Sequence, residues 1–174
     1  MGFYSQMGRG VVRVDSVIEK LKMFFDKEDE FDAYQTGIST EDAIVLSTRC
    51  IEEYGVEIPT DYVEFLKNMN GFWYDGKSMF NFSTDEIKKT NKYKFSLRLY
   101  DFFKENNHCR DYIGSADGTG EDYLFLGKSD ISFIAMDVRT EKIVLLTEVI
   151  GFVREYANFE EMLDGFFLGA YEER

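Results

Sequence analysis

Hydrophobic positions along this chain follow two regimes, a helical spacing in the first half and short β-rich runs in the second. Val14, Val17, Ile18, Leu21, Phe24 and Phe25 recur at helical intervals, and the charged run from Asp26 to Glu30 predicts a surface loop after them. Ser39 with Asp42 three residues on resembles a capping box made with the shorter acid, so a helix is expected to open there and run to Tyr54. Ala43, Leu46, Cys50 and Tyr54 share one face of it. Gly55 supplies a left-handed stop, and Val56-Glu57-Ile58 is too short for anything but an extended link. Pro59 then sets φ for a new helix, with Thr60 or Asp61 as its cap and Tyr62, Phe65, Leu66 and Met69 as its stripe. Asn70-Gly71 is expected to end it.

Beyond Gly71 the pattern changes. Phe72-Trp73-Tyr74 and Ser78 to Phe82 flank Asp75-Gly76, the signature of a β-hairpin. Ser83 or Thr84 reads as a cap for a polar segment, and Phe95, Leu99, Phe102 and Phe103 form the stripe of a helix ending near Asn106-Asn107. Short strands are expected at Asp111 to Gly114, Tyr123 to Leu126, Ile131 to Val138 and Ile143 to Val149, with another at Phe152 to Tyr156. Connections this short require antiparallel pairing. Phe159, Met162, Leu163, Phe166, Phe167 and Ala170 close the chain with an amphipathic helix. The order predicts a single α+β domain over residues 1–174, a mostly antiparallel twisted sheet packed with N-terminal helices and a C-terminal helix.

Composition refines this picture. A domain of 174 residues buries about 70% of its unfolded surface, and seventeen phenylalanines with eleven tyrosines make its interior aromatic. Cys50 and Cys109, far apart in sequence, read as reduced thiols. Met1 to Gly10 has no apolar signal region and no stretch reaches membrane-spanning length, so a soluble cytoplasmic protein is expected. The Met-Gly start lacks the acceptor hydroxyl at Gln6 for myristoylation, and the Asn81-Phe82-Ser83 sequon has no secretory route.

Charge is the most functional of these facts: 33 acids against 20 bases leave a formal net charge of −13. Nucleic-acid binding is disfavoured, because it depends on neutralising phosphates with Lys and Arg. A basic protein partner is favoured instead. One segment runs the other way, since Ile87 to Arg110 holds seven Lys or Arg and two acids, the composition of a solvated basic face.

Candidate chemistry is sparse. Gly127-Lys128-Ser129 mimics the end of a phosphate-binding loop, but position 122 is Asp122 rather than glycine and a strand follows in place of a helix. The glycines from Gly114 to Gly120 read as a turn between strands. Asp117, Glu121 and Asp122 offer carboxylates for calcium without the spacing of a helix-loop-helix site. His108 beside Cys109 supplies neither a nucleophilic dyad with Cys50 or Cys109 nor a paired zinc spacing. No carboxylate pair for hydrolysis is identifiable. Trp73-Tyr74-Asp75 has the residue mix of a binding hot spot, and strand alternation would bury one of Trp73 and Tyr74 and expose the other.

Three stretches together carry a family signal: Ile51 to Phe72, with its glycine, Ile-Pro and tyrosine-bearing helix; Ile113 to Leu124, glycine-rich and leading into a strand; and Phe159 to Leu163. They resemble the SUKH superfamily, bacterial immunity proteins and relatives of fungal cell-wall glucan synthesis regulators. The resemblance covers residues 40–167 and leaves residues 1–38 as an N-terminal helical extension. It implies an α+β fold and a non-enzymatic protein-binding module without cofactor or metal, plausible partners being nuclease-type toxins with basic clefts. An acidic face on the immunity protein would stand in for phosphate, with Asp75, Asp117, Glu121 and Asp122 as contacts and Trp73 or Tyr74 as anchor. The alternative within the family is a regulatory scaffold that neutralises nothing.

Overall fold

The computed structural model describes residues 14–27, 34–83, 100–117, 119–147 and 151–168. The expectations at Thr84, Phe95, Leu99, Ala170 and the basic residues before Tyr100 lie outside them. Helix α1 (Val14–Lys27) follows its apolar stripe, with Val17, Ile18, Leu21 and Phe25 buried. A short strand β1 (Tyr34–Thr36) leads to α2 (Thr40–Tyr54). The Ser39 hydroxyl caps α2, accepting from the Asp42 amide at 3.0 Å and donating to Asp42 Oδ2 at 2.8 Å. Gly55, at φ 68°, ends it as expected.

Helix α3 (Thr60–Asn68) begins directly after Pro59, whose carbonyl accepts from Tyr62 and Val63; no side chain caps it, contrary to the expectation for Thr60 and Asp61. Its end also differs. The chain passes without a loop into β2 (Met69–Tyr74), so Asn70-Gly71 is part of a strand rather than a helix stop. Tyr34 pairs with Phe72 and Thr36 with Met69, which leaves an extra residue in β2, and Gly71 at φ 77° absorbs that bulge. A side chain at Gly71 would meet Asn81 within 3 Å. The hairpin to β3 (Lys77–Met79) turns on Asp75 and Gly76, both at positive φ, as an Asp-Gly turn requires.

Four more antiparallel strands complete the sheet: β4 (Tyr123–Lys128), β5 (Ser132–Asp137), β6 (Ile143–Thr147) and β7 (Gly151–Tyr156). Spatial order equals chain order from β1 to β7. The domain is α+β, as the sequence predicts. Helix α5 (Phe159–Met162), capped by Asn158, continues into a π-helical turn at Leu163–Leu168.

Between β3 and β4 runs α4 (Phe102–Asp117), which contradicts two expectations. It does not end at Asn106-Asn107, and Asp111 to Gly114 belongs to its last turns rather than to a strand. The glycine-bearing stretch after it is a helix end and a 3₁₀ turn at Gly120–Asp122, not a turn between strands. A side chain at Gly120 would lie 2.1 Å from the Arg110 carbonyl, so only glycine permits that approach.

One aromatic cluster joins these elements. Tyr62 is fully buried, with the rings of Phe65, Phe102 and Phe159 about it at 5.8 to 6.2 Å, and its hydroxyl donates to the Phe80 carbonyl at 2.7 Å. Phe72 meets Phe25, Phe65 and Phe167, so α1 belongs to the same core although it precedes the family-like region. Two buried asparagines complete the sheet where its ladder is short. Asn70 exchanges hydrogen bonds with both backbone groups of Phe82, and Asn106 of α4 does the same with Phe125 of β4, each at 2.8 Å.

Phe65→Ala should cost about 3 to 5 kcal/mol in urea unfolding, the range for emptying a buried aromatic site, and a loss below about 1 kcal/mol would contradict its place in the core. Asn106→Ala should cost about 2 to 5 kcal/mol by the same measurement, because it strands one buried N–H and one buried C=O of Phe125.

Candidate protein interface

The hairpin residues of the expected interface and its glycine-loop acids occupy opposite ends of β4. Trp73, Tyr74 and Asp75 lie at the β2–β3 turn, where Gly76 adjoins Asp130 of the β4–β5 turn. Glu121 and Asp122 precede the first residue of β4, about 17 Å away along a six-residue strand. Asp117 ends α4, and its side chain is outside those described. Strand alternation fails for the aromatic pair: Trp73 and Tyr74 are both half-buried. Tyr74 shares the face of the buried Phe72 and packs edge-on against Phe24 of α1 at 5.3 Å, while Trp73, on the face that alternation would expose, is half-buried as well. Asp122 is already paired with Arg139 at 2.7 Å. Glu121 is exposed.

The surface around Glu121 is an open cleft of about 760 Å³, lined by Glu53 and Tyr54 from α2, Asn107, Arg110, Asp111 and Gly114 from α4, and Gly120 with Glu121. Two of the stretches that carry the family signal, far apart in sequence, therefore form one cavity. A smaller cleft of about 340 Å³ begins one residue on, from Gly55 to Thr60, with Met136, Val138 and Glu141 opposite. Of the cleft residues only Glu121 was legible beforehand as a contact. Glu53, Tyr54, Asn107, Arg110 and Asp111 were missed, and the extent of α4 is the signal that would have found the last three.

Stacked planar groups hold the wall of the larger cleft. The Arg110 guanidinium lies 4.4 Å from the Tyr54 ring centre, Tyr54 stacks on Phe103 at 5.9 Å, and Arg49 sits 3.7 Å over Phe103. Arg49 also pairs with Glu53. The Tyr54 hydroxyl donates toward Asn107 Oδ1 at 3.0 Å, with the Phe103 carbonyl at 3.2 Å. Arg110 Nε donates to the Tyr123 carbonyl at 3.1 Å, while its Nη2 is buried without a hydrogen-bond partner. Burial lowers the Arg110 pKa, and the neighbouring Tyr54, Cys50 and Glu121 oppose that shift.

Nothing in this arrangement prepares a nucleophile. Cys50 and Cys109 are buried free thiols, each pushed up to about 12, chiefly by burial. His108 is exposed on α4 beside the buried Cys109. Gly127 pairs with Met79 inside the sheet, so Gly127-Lys128-Ser129 is a strand end. Among the described residues no three of His, Cys, Asp and Glu gather to hold a metal, and no helix is long and apolar enough to cross a membrane.

The thiols make a pH prediction. Their folded pKa lies above the reference value of 9.0, so their contribution to stability is complete below about pH 9 and is lost as pH rises from there towards 12. The urea midpoint should fall steadily from pH 9 to pH 11, and replacing both cysteines by alanine should flatten that fall.

Comparison with curated proteins gives no significant match. A family model does match: that of the SMI1 / KNR4 family (SUKH-1), over residues 39–165, which begins at the Ser39 cap and ends within the π-helical turn. The chain belongs to the SMI1/KNR4 (SUKH-1) family.

Proposed function

We propose that this chain is a cytoplasmic immunity module that binds and occludes a cationic, nuclease-type toxin domain, and that it transforms no substrate. The observation that carries this reading is the cleft where the two family-bearing stretches meet. Its rim holds the carboxylates of Glu53, Asp111 and Glu121 on well-packed elements. A net charge of −13 gives the whole molecule the same sign. Charge of this kind steers a basic partner and raises the association rate more than it raises affinity. Buried thiols and an open, polar cleft support binding over catalysis, since an enzyme of small substrates concentrates its chemistry in an enclosed pocket.

Within that reading, Glu121 and Asp111 are contacts with the partner, and Arg110 with Tyr54 keeps the cleft wall in place. Asp122 serves the fold through Arg139. Trp73, Tyr74, Asp75 and Asp117 remain secondary contacts, the first three at the far end of β4.

The test begins with the neighbouring genes, where a toxin gene immediately upstream supports this reading and a solitary gene contradicts it, and proceeds to co-expression and binding with that gene's toxin domain. Wild-type chain should protect cells, and its on-rate should fall about ten-fold or more between roughly 30 mM and 300 mM salt. Asp111→Asn with Glu121→Gln should lower the on-rate and its salt slope while leaving the fold intact. Equal rates at both salt concentrations would contradict charge-steered recognition.

A further inference from the structure

Helix α2 has two apolar faces, and the core uses only one. Ala43, Leu46 and Cys50 point inward and are buried. On the outer side Ile44 is 62% exposed, Val45 50% and Ile51 50%. Six large hydrophobic side chains are at least 50% exposed among the described residues, and three of them fall in this one eight-residue span, so the clustering is local. Ile44 and Ile51 are seven residues apart, within about 20° of each other around the helix, and form a ridge. A surface helix ordinarily keeps one apolar stripe and gives its other side to water. The second stripe of α2 has the form of a contact surface.

Its surroundings define what it contacts. Glu41 and Glu52 are exposed on the same side of the helix, and neither makes a salt bridge among the described residues. Two residues beyond Ile51, Glu53 and Tyr54 of the same helix line the acidic cleft, so ridge and cleft share one element, Glu53 projecting about 160° round the helix from Ile51. An apolar centre bordered by unneutralised acids matches a partner that carries the reverse pattern. Such an interface divides its work: desolvated apolar side chains near the centre govern dissociation, and charges at the rim govern encounter.

We propose that the Ile44-Val45-Ile51 ridge of α2 is the apolar centre of the interface, and that the toxin presents to it an apolar patch bordered by Lys or Arg. This rests on the immunity reading above. It adds a binding element that the acidic cleft alone does not predict.

The probe is the same toxin domain, with association and dissociation followed by surface-based kinetics. Ile44→Gln with Ile51→Gln removes the ridge, keeps the charge and retains helix-forming side chains; Ile131→Gln, at a site 74% exposed on the β4–β5 turn, is the control. The double variant should bind about ten-fold or more weakly, almost wholly through faster dissociation, with the salt slope of the on-rate unchanged and the control within about two-fold of wild type. Binding by the double variant within about two-fold of wild type would overturn the ridge while leaving the immunity reading in place. Failure of the wild-type chain to bind the toxin would overturn that reading and the ridge with it. Sedimentation showing a wild-type dimer that the double substitution converts to monomer would assign the ridge to a second copy of this chain and overturn the proposal.

Discussion

A strand that outruns its neighbour leaves backbone groups without partners, and the rest of this fold depends on how that deficit is met. β3 has three residues and β4 has six, so the ladder between them ends one bond past Met79 and Gly127, where the Phe80 amide donates to the Leu126 carbonyl at 2.9 Å. An unpaired buried N–H or C=O costs about 1 to 3 kcal/mol. Helix α4 takes the place of the missing strand. Its side chains descend along β4 in order: Glu105 to the Lys128 ammonium at 2.8 Å, Asn106 to both backbone groups of Phe125, and Arg110 to the Tyr123 carbonyl at 3.1 Å. On the far side Asn70 does the same for Phe82.

This edge repair places the cleft. With Asn106 and Arg110 tied to β4, the intervening Asn107 and the following Asp111 turn toward α2 and the 3₁₀ turn. Tyr54 then packs between Arg110 and Phe103, which joins the end of α2 to α4. Glu53, Asp111 and Glu121 are thus presented from two helices and a 3₁₀ turn held together by these contacts. Pre-organisation of this sort lowers the ordering cost of an association made through the cleft.

Elements with local signals were legible in the sequence. The α1 stripe, the Ser39 cap, the Gly55 stop and the Asp75-Gly76 turn each rest on neighbouring residues, and the structure shows all four. Helix α4 was illegible past Asn107 because the positions it turns inward are not all apolar. Phe102, Asn106, Cys109 and Ile113 form its inner row, and Asn106 breaks the pattern since its partner is backbone rather than core. Tyr112 and Ile113 then mimic a strand. Asn70-Gly71 was misread for a related reason: the same dipeptide that ends a helix also makes a bulge, and only the distant Phe82 shows which. The cleft draws on segments near residues 53, 110 and 120, a convergence that no local pattern encodes.

In the proposed function a basic partner docks on two surfaces that share α2, its outer apolar face and the acidic cleft out to Glu121. Amide chemical-shift mapping of the isotopically labelled chain during titration with unlabelled toxin domain tests it most directly. Perturbations concentrated on α2, the second half of α4 and residues 119–123 are the predicted result. Perturbations concentrated on the β2–β3 hairpin, with α2 and the cleft unmoved, would contradict it.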